Sequence, residues 1–135
     1  MNGMPEPADA MERNVTLTHL VYALHALAVL TGFVGTAAIL PSFLASLPSI
    51  AAVVLNYLKR DAVRGTWLES HFRWQIRTFW FAWMWALVGV LLIATVVGVL
   101  FGVLVLIGTT LWVTYRVARG WWALGQRQML PMPPV

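Results

Sequence analysis

From Thr78 to Tyr115 the chain runs for 38 residues (78 to 115 inclusive) without an Asp, Glu, Lys, Arg or His. As one straight helix this run would be roughly 57 Å long, about twice the hydrocarbon thickness of a bilayer, so we expect it to fold back as two spanning helices. A second apolar run, from Val15 to Leu58, has only His19 and His25 as ionisable side chains and contains two prolines. The sequence therefore predicts an all-α integral membrane protein with four transmembrane helices arranged as two hairpins.

The composition agrees with this interpretation, since 60% of the residues are hydrophobic, only 10% are charged, and the mean hydropathy is +0.76. A soluble domain of this size would need a far more polar surface. The formal net charge of +4 comes from basic residues that lie outside the apolar runs or at their ends. Basic residues there mark the cytoplasmic face and contact anionic headgroups, so we expect no nucleic-acid partner. The absence of cysteine excludes disulfides and thiolate catalysis.

We divide the chain into a polar N-terminal tail (1–14), a four-helix membrane domain (15–124) and a proline-rich C-terminal tail (125–135). The N-terminal tail carries three acidic residues and one Arg, which differs from the basic start of a secretory signal. We therefore expect the first apolar segment to remain in the mature protein as an anchor. The C-terminal tail is expected to be extended and mobile.

Helix one is predicted to begin at Thr16 or Thr18, whose hydroxyls can cap a helix, and to continue to about Leu40. Helix three is predicted to reach about Ala94. Helix four is predicted to run from about Val103 to Leu124.

Helix two has two possible forms, because prolines interrupt its sequence. In one form it begins between Ser46 and Pro48, and the preceding segment, Phe43 to Leu47, is a re-entrant stretch or an extra turn at membrane depth. In the other it is an ordinary helix from Ser42 that is kinked at Pro48. In both forms it ends near Leu58 or Arg60.

Two local patterns mark the ends of helices three and four. Thr66 and Glu69 have the spacing of a capping box, in which each side chain accepts a hydrogen bond from a free N–H at the helix start. The uncharged run has two glycines near its centre, Gly98 and Gly102, which favour a turn within Thr95 to Gly102. The same glycines would also fit a small-xxx-small helix-packing motif.

The basic residues predict the orientation of the chain. All nine lie near the two termini, in the central loop at 59–65 or at the start of helix three, and none lies in the two remaining turns. Positive-inside counting therefore predicts a multi-pass protein of the bacterial inner (cytoplasmic) membrane with both termini and the central loop in the cytoplasm. Six of the eight tryptophans fall near that same face, as an aromatic belt predicts.

A weak internal repeat relates the starts of helices one and three. The segment 18–25 aligns without gaps on 70–77, with a shared order of hydroxyl, His, apolar, any, aromatic, any, aliphatic and basic residues. The repeat predicts two parallel hairpins related by an axis along the membrane normal. It also predicts that His19 and His71 lie at equivalent depths.

The membrane-embedded residues include no carboxylate and no lysine, which argues against ion pumps and proton-coupled transporters. No zinc-binding spacing, phosphate loop or serine–histidine–acid set is present, so we predict no metal site and no enzymatic activity. Polar and small residues follow one face of helix three, and they suit an interhelical hydrogen-bonded seam or, alternatively, a substrate path. These residues are His71, Gln75, Thr78, Ala82 and Gly89.

Histidines on different helices of a four-helix membrane bundle can hold a b-type haem, and His25 with His71 is the candidate pair. Their depths would differ by roughly 9 Å by helical rise, which argues against the pair. His19 with His71 would match in depth but would lie among the headgroups. We therefore predict no cofactor and keep haem as the alternative.

The candidate binding site for lipid or a partner lies at the start of helix three. Arg73 and Arg77 stand one turn apart and are flanked by Trp74 and Trp80. A guanidinium can hold a phosphate at two points, and the indoles can pack on acyl chains or protein. The predicted neighbouring members of the site are His71, Gln75 and Asn56.

The segments Val53 to Asp61 and Glu69 to Thr78 resemble a family of small, uncharacterised bacterial inner-membrane proteins. That family is distantly similar to the Tic-type component of the chloroplast inner-envelope import machinery, and Trp74-Gln75-Ile76 matches its aromatic-Gln-aliphatic run. The resemblance implies a four-helix membrane domain and an interaction or assembly role. The resemblance does not imply import activity, because the similarity lies in the helical scaffold and not in functional residues.

Together these patterns favour a small non-enzymatic inner-membrane scaffold or accessory subunit that binds anionic lipid or other membrane proteins, including further copies of itself. The alternatives are a haem- or quinone-binding electron-transfer subunit and a small channel component.

Overall fold

The computed structural model describes residues 7–34 and 39–132, with side chains described over 8–31 and 47–132. Within these ranges the chain is helical and contains no strand, so the predicted all-α class is confirmed. The described residues form four α-helices: α1 (Pro7–Val34), α2 (Ile39–Lys59), α3 (Leu68–Ile93) and α4 (Val99–Gly125). A short 3-10 helix, Arg60–Val63, follows α2 directly.

The helices pack as two pairs. The most extensive contacts are those of α3 with α4 and of α1 with α2, and α1 also contacts α4. Trp121 of α4 donates a hydrogen bond of 3.0 Å to His19 of α1, and Arg127 forms an ion pair of 2.6 Å with Glu12. The start of α1 and the end of α4 therefore lie side by side.

In the part of the chain that the structure describes, three helical segments are long and apolar enough to cross a membrane: Ala8–Thr31, Leu68–Ile93 and Val99–Gly125. Large apolar side chains also cover the outer surface of α3 and α4 in the described structure, with Leu87 58% and Leu100 67% exposed. In water such a surface would aggregate, whereas in lipid it is the expected one. These features indicate a membrane protein, and α2 is not among the three segments.

α1 begins earlier than predicted. It begins at Pro7 instead of Thr16 or Thr18, because proline suits the first helical turn and Asp9 interacts favourably with the positive end of the helix dipole. The hydroxyls of Thr16 and Thr18 accordingly donate to carbonyls one turn earlier and cap nothing. Because α1 begins at Pro7, part of the polar N-terminal tail is helical. The helix is described as far as Val34, and residues 35–38, just before its predicted end at Leu40, lie outside the described residues.

α2 is one helix from Ile39 to Lys59 with Pro48 inside it. The continuous-helix alternative is therefore the one found, and the re-entrant alternative at Phe43 to Leu47 is wrong. The end of α2 at Lys59 agrees with the prediction.

The predicted capping box at the start of α3 is wrong. The helix begins at Leu68, one residue later than the motif requires, and its N-cap is Trp67, which makes no side-chain cap. The Thr66 hydroxyl instead donates to the Val63 carbonyl at 2.7 Å. The Glu69 carboxylate accepts the N–H of Gly65 at 2.9 Å, and Gly65 adopts a φ of +77° that favours glycine.

The turn between α3 and α4 lies in the first half of the predicted segment, because α3 ends at Ile93 and α4 begins at Val99 with Gly98 as its N-cap. α4 therefore begins four residues before the predicted Val103, and Gly102 lies inside the helix. Gly102 also fulfils the alternative role in packing. A Cβ added at Gly102 would lie 2.6 Å from the carbonyl oxygen of Gly89, so the two backbones approach too closely for any side chain.

The C-terminal tail is non-helical after Gln126–Arg127, as predicted, but its described part is anchored to α3. The Gln128 carbonyl accepts a hydrogen bond from His71, and the Leu130 N–H donates one to Ser70. Leu130 is only 4% exposed. The tail was expected to be mobile, whereas residues 128–132 are docked on α3.

The internal repeat stays a prediction. Its equivalent hydroxyl residues, Thr18 and Ser70, are both buried. Its equivalent histidines differ, because His19 is partly exposed and His71 is fully buried.

Candidate functional site

The helices enclose a polar interior. Among the described side chains seven polar ones are buried, all from the first three helices. They are Thr18, His25, Asn56, Ser70, His71, Gln75 and Thr78.

His71 is held by hydrogen bonds at both ring nitrogens. Its Nε2 lies 2.7 Å from the Gln128 carbonyl oxygen, and its Nδ1 lies 3.0 Å from the Tyr22 hydroxyl. A carbonyl oxygen only accepts, so Nε2 carries a hydrogen and donates it to Gln128, while Nδ1 shares a hydrogen bond with the Tyr22 hydroxyl. The ring therefore joins α1, α3 and the C-terminal tail.

The haem alternative proposed His25 and His71 as a pair of ligands. His25 shares a hydrogen bond of 3.1 Å with Ser49 through Nδ1, and within the described residues its buried Nε2 has no partner. His71 would have to lose its bond to Tyr22 or to Gln128 before it could ligate iron. No described contact joins the two histidines.

Asn56 and Gln75 are predicted members of the lipid- or partner-binding site, and the structure places both in the interior. They are 0% and 1% exposed, and among the residues that the structure describes neither amide has a hydrogen-bond partner. Like His71, they are buried beneath the predicted site and line neither of the two clefts described below.

Arg73, Arg77 and Trp80 remain at the surface of the start of α3. Arg73 forms an ion pair of 2.7 Å with Glu69, while the Arg77 guanidinium lies 5.9 Å from the Phe81 ring centroid. The indole N–H of Trp80 donates to the Tyr57 hydroxyl at 2.9 Å. Within the described chain, Arg77 has no carboxylate partner.

Arg116 is the residue that sequence analysis missed, because it was counted only as a marker of topology. Its guanidinium lies over Trp74, 3.4 Å from the ring centroid, and its Nε donates to the Thr78 hydroxyl at 2.7 Å. The Trp74 indole N–H donates in return to the Arg116 carbonyl at 3.0 Å. A sequence signal was available, since Trp112 stands one turn before Arg116 and its ring lies 5.1 Å from the guanidinium.

These side chains line two clefts that share Arg73 and Arg77. The tail cleft has a volume of about 220 Å³ and is lined by Ser70, Arg73, Trp74, Arg77, Arg116, Pro131 and Met132. The loop cleft has a volume of about 410 Å³ and is lined by Tyr57, Arg60, Arg64, Glu69, Phe72, Arg73, Ile76 and Arg77.

The two clefts differ in charge. No carboxylate lines the tail cleft in the described structure, whereas Glu69 contributes to the loop cleft. Arg64 of the loop cleft is also paired with Asp61 at 2.9 Å, in a bond where both side chains are exposed and contribute little to stability. A smaller share of the arginines is therefore ion-paired in the tail cleft than in the loop cleft.

Over the described residues no group of three or more His, Cys, Asp or Glu side chains is placed to hold a metal ion. No known protein family, curated protein or solved structure matches the chain. Over residues 7–34 and 39–132 the fold is that of a helical protein with three helices apolar enough to span a membrane and an arginine-rich surface at one end.

Proposed function

We propose that the protein is a small non-enzymatic scaffold or accessory subunit of the bacterial inner membrane that binds anionic lipid or other membrane proteins through its arginine clefts. The supporting observation is that Arg73 and Arg77 line both clefts while Arg77 and Arg116 face no carboxylate in the described chain. Guanidinium groups bind phosphate and carboxylate groups in a two-point fashion.

A four-span topology places these clefts at the cytoplasmic surface. α2 has 21 residues, so its length is about 31 Å, close to the hydrocarbon thickness of about 30 Å. The ion pair between Glu12 and Arg127 brings the start of α1 and the end of α4 to the same end of the bundle, which favours an even number of spans. The positive-inside rule then favours the cytoplasm for both termini and for the central loop.

The resemblance to the Tic-like bacterial family supports the same role. Its matching residues, Asn56 to Thr78, include Arg73, Arg77 and most of the loop cleft. An assembly role is thus proposed for the surface that carries the resemblance.

A haem- or quinone-binding subunit is the second candidate, and the buried, unpartnered Nε2 of His25 is the observation that favours it within the described residues. An absorbance spectrum of protein purified from native membranes tests this candidate. A Soret band that is lost in His25→Ala would support it, and a spectrum without cofactor absorption would count against haem.

The double variant Arg73→Lys/Arg77→Lys tests the proposed function. It keeps the positive charge but removes the guanidinium fork, so topology should persist while copurifying lipid or protein falls. The matched control is Arg13→Lys/Arg127→Lys, which changes two arginines outside both cleft linings. Equal amounts of lipid and protein on the parent and on the cleft variant would show that these arginines only set topology.

A further inference from the structure

We infer that the tail cleft binds the phosphate group of an anionic phospholipid from the cytoplasmic leaflet, and that the C-terminal tail supplies the apolar wall that completes this site. The inference rests on the proposed function and gives it a ligand class and a location. It assigns a binding role to Arg116, Pro131 and Met132.

The charge of the tail cleft matches a phosphate. Three guanidinium groups line it and no described carboxylate does. Arg73 is ion-paired with Glu69, so the positive charge that a bound anion would meet comes mainly from Arg77 and Arg116. Arg116 uses its Nε and one terminal nitrogen for protein contacts, and no described residue accepts a hydrogen bond from its Nη1. That nitrogen is available to a ligand.

Arg116 is also held in place before any ligand binds. Its guanidinium stacks on Trp74 and donates to both the Thr78 hydroxyl and the Trp74 carbonyl. A side chain fixed in this way loses little conformational entropy on binding, which favours affinity. Lysine could not reproduce both the stacking and the paired donors.

The C-terminal tail forms the opposite wall. The hydrogen bonds at Gln128 and Leu130 fix its path across α3, and the burial of Leu130 anchors it further. As a result Pro131 and Met132 line the cleft beside the arginines. An apolar wall next to three cations suits an amphiphile better than a free phosphate ion.

The helix surface below the cleft is aromatic. Phe81 lies one turn beyond Arg77 on α3, and Trp112 lies one turn before Arg116 on α4. Their rings contact each other edge to face with centroids 6.3 Å apart. A lipid phosphate held by the arginines would thus have its acyl chains directed over an apolar surface, which a phosphopeptide would not use.

The test measures retention of phosphatidylglycerol by native mass spectrometry, with the purified full chain in micelles that also contain phosphatidylcholine. Pro131→Gly/Met132→Gly removes the apolar wall without changing charge, and we expect about fivefold less retained phosphatidylglycerol. Arg116→Gln removes a charged donor and should lower retention about tenfold. The control Met129→Gly changes an exposed tail residue that does not line the cleft, and it should retain as much as the parent.

The outcomes separate the inference from the proposed function. In one outcome the parent retains phosphatidylglycerol and Arg73→Lys/Arg77→Lys releases it, but Pro131→Gly/Met132→Gly and Arg116→Gln retain as much as the parent. The proposed function then stands and the tail site is wrong. Retention of an acidic protein in place of lipid, or equal retention of phosphatidylcholine, also overturns the inference. A competition experiment adds inorganic phosphate or short-chain phosphatidylglycerol to the lipid-bound protein. The inference is also overturned if inorganic phosphate displaces the lipid at the same concentration as the short-chain lipid does. If neither lipid nor protein is retained by the parent, both proposals fail.

Discussion

The guanidinium of Arg116 lies 3.4 Å from the centroid of the Trp74 ring, and the indole of Trp74 donates a hydrogen bond back to the Arg116 carbonyl. This reciprocal contact joins α3 to α4 at the end of the bundle where the clefts lie. It fixes one wall of the tail cleft and contributes to the stability of the helix pair.

Replacing Arg116 with lysine should lower the free energy of unfolding by about 1 to 2 kcal/mol, because the stacking on Trp74 and the bond to Thr78 are lost. Unfolding in mixed micelles with increasing SDS measures the change. Arg13→Lys is the control, since Arg13 is exposed and forms no ion pair within the described structure. Equal losses in the two variants would show that the Arg116 contact adds no specific stability.

Gly102→Ala should push α3 and α4 apart, because the new methyl group would meet the Gly89 carbonyl. We expect a loss of about 1 to 3 kcal/mol in the free energy of unfolding. Gly108→Ala is the matched control on the same helix, since a Cβ there meets nothing within 4 Å, and alanine should stabilise it slightly. A neutral Gly102→Ala variant would contradict the close approach of the two backbones.

Ser70→Ala should release the C-terminal tail, because the Leu130 N–H loses its acceptor. Hydrogen exchange at Leu130 should become faster by about tenfold or more. The control Thr109→Ala removes a hydroxyl that bonds only within its own helix, and it should leave Leu130 protected. Unchanged exchange at Leu130 in Ser70→Ala would mean that the tail is held by other contacts.

Glu69→Ala should speed hydrogen exchange at Gly65, whose N–H the carboxylate accepts. Thr66→Val should leave the start of α3 intact, since the Thr66 hydroxyl donates to Val63 and caps no helix N–H. Comparison of the two variants therefore distinguishes the observed arrangement from a reciprocal capping box. Loss of protection at residues 68–70 in Thr66→Val would favour the capping box.

Cysteine labelling should report the proposed topology, and the chain has no native cysteine to interfere. A cysteine at Val97, which is 88% exposed in the turn between α3 and α4, should react with a membrane-impermeant reagent added to intact cells. A cysteine at Ala62, in the central loop, should react only after the cells are opened. The reverse pattern would invert the orientation and place the arginine clefts outside the cytoplasm.

The sequence predicted those helix ends and turns that depend on the composition of one segment alone. The uncharged run from Thr78 to Tyr115 is too long for one span, so a turn near its glycines follows from length alone. The end of α2 at Lys59 follows in the same way from the change to charged residues. These features depend on local composition and need no knowledge of tertiary contacts.

The docked tail and the role of Arg116 could not be read from the sequence, for a different reason. The tail binds through the carbonyl of Gln128 and the N–H of Leu130, which are backbone groups that nearly every residue carries. The partners of Arg116 lie on another helix, and only the packing of α3 against α4 brings them together. The sequence thus pointed to the α3 arginines that line the tail cleft, and it did not point to the opposite wall.

The docked tail has a consequence for the order of events during biosynthesis. Residues 128–132 follow all four helices in the chain, so a ribosome translates them after the last helix has been made. The tail cleft therefore has only its arginine wall while the helices enter the bilayer, and it gains its apolar wall afterwards. Any lipid held between the two walls would be captured by a bundle whose helices had already been synthesised.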